Sequence, residues 1–198
     1  MSVSMEKIKR LREETSAKLI DCKKALEEAG GNIDEARKIL RKKGAKIAQK
    51  KSGEKTGQGT IASYVHHNGN VGVLVEVHCQ SDFVARTDEF QTFAKDIAMH
   101  IAAFNPRWIS PEEVPSPVIE EEKDILRAQA RQEGKPDKII ERIVEGRIKK
   151  FYSEKCLLSQ PFLKDEKKTV KEHLEELIAK VGENVRIHRF TRYELRQE

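Results

Sequence analysis

Val71-Gly72-Val73-Leu74-Val75-Glu76-Val77-His78-Cys79-Gln80-Ser81-Asp82-Phe83-Val84-Ala85-Arg86-Thr87 contains the change of hydrophobic period on which the fold turns. Val71, Val73, Val75, Val77 and Cys79 alternate as one face of a β-strand, whose successive side chains point to opposite sides. Phe90, Phe93, Ala94, Ile97, Ala98 and Ile101 then follow the spacing of one helix face. Asp82 and Phe83 fall in the joint between the two patterns. A carboxylate there supports its helix through free backbone N–H groups and the dipole. A Phe there either tucks beneath the helix or protrudes, and a protruding ring on a rigid joint can anchor a partner.

Working outward, residues 60–67 and 70–79 flank Asn68-Gly69, a strong hairpin signal. A third strand is expected at 184–195, giving a small antiparallel sheet. Between the strands the periodicity predicts helices from 82 or 87 to 104 and over 118–133, 136–152 and 168–181, the first ended by Asn105-Pro106. Residues 6–44 read as three short helices. Ile8 and Leu11 edge the first, Ser16 can cap the second, Gly30-Gly31 ends it, Asn32 caps the third and Gly44 is a plausible stop. The expected organisation is a helical bundle at 1–50, a Lys- and Gly-rich helical extension and linker reaching 51–58, and an α+β core at 59–198. In that core a three-stranded antiparallel sheet packs against helices on one face.

The 198 residues are long enough to bury an independent core, and with 36% charged and only 6% aromatic residues the chain should be helix-rich and heavily solvated. The sequence has no apolar run of membrane-spanning length, and Met1-Ser2-Val3-Ser4-Met5-Glu6-Lys7 lacks the apolar segment of a secretion signal, so a cytoplasmic location is expected. The net charge of +5 is uneven, because residues 37–55 hold nine Lys or Arg against one Glu. Such a stretch can contact nucleic acid phosphates, yet it lacks interleaved aromatics and reads better as a solvated helix end. Cys22, Cys79 and Cys156 form no close pair, and Cys22 and Cys79 read as small buried hydrophobes rather than nucleophiles. His66 and His67 are adjacent on a strand and point oppositely, while His78, His100, His173 and His188 show no ligand spacing, so no metal is expected. No Gly-rich phosphate loop is present, so neither a cofactor nor direct nucleotide binding is expected.

Gln80-Ser81-Asp82-Phe83-Val84-Ala85-Arg86-Thr87 resembles the signature Thr-Asp-Phe-Val-Ala-(Arg/Lys)-Asn of the bacterial elongation factor Ts family, with Ser81 and Thr87 in place of the usual Thr and Asn. The resemblance extends to Ile8-Lys9-Arg10-Leu11-Arg12-Glu13-Glu14-Thr15, Asp21-Cys22-Lys23-Lys24-Ala25-Leu26-Glu27-Glu28-Ala29 and Ala98-Met99-His100-Ile101-Ala102. It continues through Glu145-Gly146-Arg147-Ile148-Lys149-Lys150-Phe151 and Gln160-Pro161-Phe162, covering nearly the whole chain in the family's order. Leu19-Ile20 departs from a pair that is often Met-Met.

The resemblance implies a ubiquitin-associated-like N-terminal bundle and a factor that promotes guanine-nucleotide exchange on elongation factor Tu without covalent catalysis of its own. It implies that Asp82 and Phe83, framed by Val84, Ala85 and Arg86, enter that partner's nucleotide-binding domain near its magnesium and phosphates. A second contact is implied at Leu11, Leu19 and Ile20. Long members carry two related core subdomains and this chain one, which implies a homodimer. Gln160-Pro161-Phe162 reads as a structural turn. The competing reading from another class is nucleic-acid binding through residues 37–55.

Overall fold

The computed structural model describes residues 3–15 and 17–195. Among these, eight α-helices and five strands follow one another as α1 (Met5–Thr15), α2 (Leu19–Glu28), α3 (Ile33–Lys51), β1 (Gln58–Val65), β2 (Val71–Cys79), α4 (Asp82–Ala85), α5 (Asp88–Phe104), α6 (Ser116–Gln132), α7 (Asp137–Lys155), β3 (Pro161–Phe162), β4 (Asp165–Thr169), α8 (Val170–Val181) and β5 (Arg186–Glu194). None of the helices is long and apolar enough to cross a membrane. The architecture is α+β, as the periodicities predict. The chain divides into two compact units, residues 1–99 with 171–198, and residues 100–170.

In the first unit α1, α2 and α3 form a bundle around Ile8, Leu11, Cys22, Ala25, Leu26 and Ala36. Asn32 caps α3 as expected, its Oδ1 accepting from the N–H groups of Asp34 (2.9 Å) and Glu35 (3.1 Å). Gly30 and Gly31 end α2 in the left-handed region, with φ of +59° and +82°. The residue before α2 is Lys18, which makes no side-chain cap; Ser16 lies outside the described residues. Gly44 does not stop α3, which runs on to Lys51. It is buried where α3 approaches α8, and a Cβ built on it would meet the Glu175 carbonyl oxygen at 3.6 Å and the Ala179 Cβ at 4.0 Å. A small residue at a helix crossing and a glycine stop look alike in sequence. Past α3, the Asn184 side-chain amide donates to the carbonyls of Ser52 (3.4 Å) and Glu54 (2.7 Å).

The sheet of this unit has the order β1-β2-β5, antiparallel throughout. Residues 66–70 close its hairpin between β1 and β2. His66 N–H donates to the Val71 carbonyl and Gly69 N–H to that of His66, each at 2.8 Å, and Gly69 takes φ +72°, where a Cβ is disfavoured. Ala62, Val73, Val75, Val77, Cys79 and Ile187 are buried on one face, as are Phe90, Phe93, Ala94, Ile97 and Ala98 along α5. The other face is open. Ile61 is 67% exposed, Val65 68%, Leu74 49% and Tyr193 74%.

In the second unit α6 and α7 pack through Leu126, Ala130, Ile140, Val144 and Ile148. Arg127 bonds both oxygens of Glu141 (2.8 and 3.2 Å), and Arg147 both of Glu133 (2.8 and 2.7 Å), crossing between the helices. Gly134, at φ +73°, turns the chain before Pro136. The expected helix start at 168 is too early, because β4 persists to Thr169 and pairs with β3. The run Asp165-Glu166-Lys167-Lys168 has no apolar alternation to signal a strand. Gln160 holds this region. Its carbonyl oxygen lies 3.0 Å from His100 Nε2, and its amide donates to the Glu154 carbonyl at 2.7 Å. Leu163 N–H donates to His100 Nδ1 at 3.2 Å, so His100 is a buried neutral imidazole protonated on Nε2.

Candidate partner-binding site

β2 and α5 are joined by the four-residue helix α4, and hydrogen bonds secure both ends of the joint. At the entry, the Cys79 thiol points to the Ser81 carbonyl at 3.1 Å. Ser81 Oγ accepts from Val84 N–H at 3.3 Å, capping α4. The Glu183 carboxylate receives both Ser81 donors, N–H at 3.0 Å and Oγ–H at 2.6 Å. At the exit, Thr87 Oγ1 donates to the Val84 carbonyl at 2.8 Å and accepts from Phe90 N–H at 3.3 Å, starting α5. The Gln91 amide donates to the Ala85 carbonyl at 2.6 Å.

This frame sorts the five joint residues. Val84 and Ala85 are buried and root the helix. Phe83 points away from them and is 83% exposed, although full burial of a Phe side chain stabilises by up to about 3 kcal/mol. Asp82 and Arg86 pair at 3.0 Å across the short helix, both accessible. Of the two sequence alternatives for Phe83, protrusion is the one observed. The packed base holds the backbone that carries the ring, so docking has only the ring's own rotamers to order.

Leu19 and Ile20 are exposed at the start of α2, at 46% and 61%. Leu11 does not share that surface. It is fully buried in the bundle, because the apolar edge of α1 is what holds α2 and α3, and this corrects the expectation of a contact there. The basic stretch is a solvated helix face: Arg37 pairs with Glu14 and Asp34, Lys38 with Glu35, Arg41 with Glu172, Lys43 with Asp21 and Lys51 with Glu54. The three cysteines are buried and unsuited to attack. Burial pushes the Cys22 thiol up, and those of Cys79 and Cys156 up to about 11, whereas a nucleophile needs the opposite shift.

A model of the family described as elongation factor TS matches residues 3–197, the whole frame of α4 included. The chain belongs to the elongation factor Ts family. Relatives named elongation factor Ts agree along their length. The one from Rubrobacter xylanophilus is 56% identical over 195 residues, 98% of this chain and 100% of the relative. That from Caldanaerobacter subterraneus subsp. tengcongensis is 55% identical over 192 residues, 97% and 96% of the two chains. That from Thermotoga neapolitana is 54% identical over 198 residues, 100% of both. Membership places this chain among the elongation factors of protein synthesis.

Two features of this family member escaped the sequence reading. Glu183 lies 102 residues from Ser81 and only tertiary packing brings them together. Glu76, His78 and His188 also converge, with one ligand-capable atom of each within 4.8 Å of the others. No linear spacing signals that group, because a β-bulge assembles it.

Proposed function

We propose that this chain is a guanine-nucleotide exchange factor that acts in the cytoplasm on elongation factor Tu, speeding GDP release and its replacement by GTP. The observation that carries the reading is Phe83, an aromatic ring left in water on a joint anchored at both ends. The ring inserts into a pocket of the partner's nucleotide-binding domain, and Asp82, its neighbour at the start of α4 and the partner of Arg86, competes for polar groups around the bound magnesium and phosphates. Magnesium bridges phosphate oxygens to protein ligands, so disturbing those ligands loosens GDP and GTP alike. Linkage supplies the rest. A factor favouring the nucleotide-free state lowers nucleotide affinity by the factor by which nucleotide lowers its own. No covalent bond changes.

The exposed Leu19-Ile20 edge of α2 docks as a second surface, raising the effective concentration of the first. A second copy of this chain covers the open sheet face. Across it Val65, Gly72 and Tyr193 form one cross-strand row, and with Ile61 and Leu74 they leave apolar surface that a two-fold pair would bury. Release of fluorescent GDP from preloaded elongation factor Tu, followed against excess unlabelled nucleotide, tests exchange. Unchanged release on adding the chain overturns it. Sedimentation of Leu74→Lys, expected to be monomeric beside a dimeric parent, tests self-association. A monomeric parent refutes the dimer.

A further inference from the structure

We propose that Glu76, His78 and His188 form a binding site for a divalent transition-metal ion, Zn2+ being the best fit, which bridges the middle strand of the sheet to the C-terminal strand. The backbone builds this site. Glu76 and His78 are two apart on β2 and therefore share a face. Strict alternation along β5 would send only one of His188 and Arg189 to that face. The pairing register breaks between Glu76 and Val77: Glu76 is opposite Arg189 and Val77 opposite Ile187, which leaves His188 as the inserted residue. The burial pattern follows, with Ile187 buried and both His188 and Arg189 exposed. A bulge of this kind re-aims a side chain, and here it turns His188 onto the face of Glu76 and His78.

The side chains are close to a coordination geometry. His78 Nε2 lies 2.6 Å from Glu76 Oε1, and the His78 and His188 rings stack with centroids 4.6 Å apart and planes 22° from parallel. The ligand atoms all fall within 4.8 Å of one another. Tetrahedral zinc with bonds of about 2.0 to 2.1 Å sets its donors about 3.4 Å apart. The exposed His188 ring closes the longer separations by turning about its broad χ2 torsion, while Glu76 Oε1 and His78 Nε2, now 2.6 Å apart, open by about 0.8 Å to admit the ion. Arg189 Nε donates to Glu76 Oε2 at 2.6 Å, holding the carboxylate with Oε1 toward His78. Carboxylates that bind metals are commonly held in this way by an outer hydrogen bond. The ion takes the place of the proton shared between Glu76 and His78.

Two imidazoles and one carboxylate suit zinc over magnesium or calcium, which prefer all-oxygen shells. Space for a fourth, water ligand lies beside the group, in a shallow groove of about 280 Å³ lined by Gln58, Thr60, Ile61, Glu76 and His78. Arg186 Nη2 lies 3.5 Å from His78 Nδ1 and Arg189 is adjacent, so nearby positive charge moderates the affinity. All three ligands come from one chain. The site therefore does not rest on exchange or self-association.

Zn2+ alone is titrated into the untagged full chain, kept reduced with a non-thiol reagent, and binding is read by calorimetry, thermal unfolding and the visible absorption of a Co2+ substitute. The expected result is one zinc per chain with a raised melting temperature, because a ligand of the native state stabilises it by mass action. His78→Ala and His188→Ala are each expected to weaken binding at least about tenfold and to abolish the thermal shift. His66→Ala/His67→Ala, on the hairpin, should leave both unchanged, and monomeric Leu74→Lys should still bind. Absence of saturable binding below about 100 μM, a potency for Mg2+ equal to that of Zn2+, or unaltered affinity in His78→Ala/His188→Ala overturns the site. These side chains lie on the open face, so the variants retain the core, which melting without metal verifies.

Discussion

Phe83→Ala separates a side chain kept for a partner from one kept for the fold. Since the ring is 83% exposed, at most about a fifth of the roughly 3 kcal/mol available from burying a Phe is realised in the free protein. Truncation should therefore cost the fold about 0.5 kcal/mol, a fall in melting temperature of about 1 to 2 °C for a chain of this size. The rest of the ring is available for docking. Burying it in a partner's pocket is worth about 2 kcal/mol, in the range of an aromatic anchor, and its loss weakens the complex about 30-fold. The assay is stopped-flow release of fluorescent GDP from elongation factor Tu at several concentrations of the factor, beside thermal unfolding of the same preparation. Half-maximal exchange should require about 30 times more of the variant. Phe90→Ala is the counterpart: Phe90 is fully buried on α5, and its truncation should cost about 3 to 5 kcal/mol of stability. Exchange by Phe83→Ala within threefold of the parent, or melting lowered as far as in Phe90→Ala, would refute the reasoning.

The N-terminal bundle offers a similar contrast. Ile20→Ala should leave unfolding unchanged and weaken complex formation, whereas buried Leu11→Ala should cost about 2 to 5 kcal/mol in denaturant unfolding; equal stability losses would contradict the assignment. Gly44→Ala should raise stability by about 0.5 to 1 kcal/mol, because a methyl reaches only ordinary contact with α8 while the helix gains propensity. A lower urea midpoint would mean that the crossing is tighter than its geometry indicates. Burial holds the His100 imidazole below its ordinary pKa of 6.5, so below that pH the unfolded chain takes up a proton that the folded one refuses. Stability, followed by Trp108 fluorescence, should then fall by up to about 1.4 kcal/mol per pH unit until the folded pKa is reached. His100→Gln should flatten that dependence, and identical slopes would show that another group governs it.

The sequence by itself determined the elements whose signals are local. The alternation of Val71 to Cys79, the helical spacing of Phe90 to Ile101, the Asn68-Gly69 hairpin and the Asn32 cap each depend on neighbours within a few residues, and all stand in the structure. The motif order likewise made the family legible. Tertiary structure decided whatever depends on distant partners. Gly44 looked like a helix stop until α8 was packed beside it, and Leu11 looked available until α2 and α3 enclosed it. The strand at Asp165–Thr169 had no apolar rhythm, because its pairing with Pro161–Phe162 is a matter of backbone hydrogen bonds. Phe83 was ambiguous for the same reason. Whether a ring at a strand–helix joint is covered depends on what arrives from elsewhere in the chain, and here Glu183 arrives at Ser81 while nothing covers the ring. The convergence of Glu76, His78 and His188 is the clearest case, since one inserted residue in β5, invisible to a period-two reading, decides which face a histidine occupies.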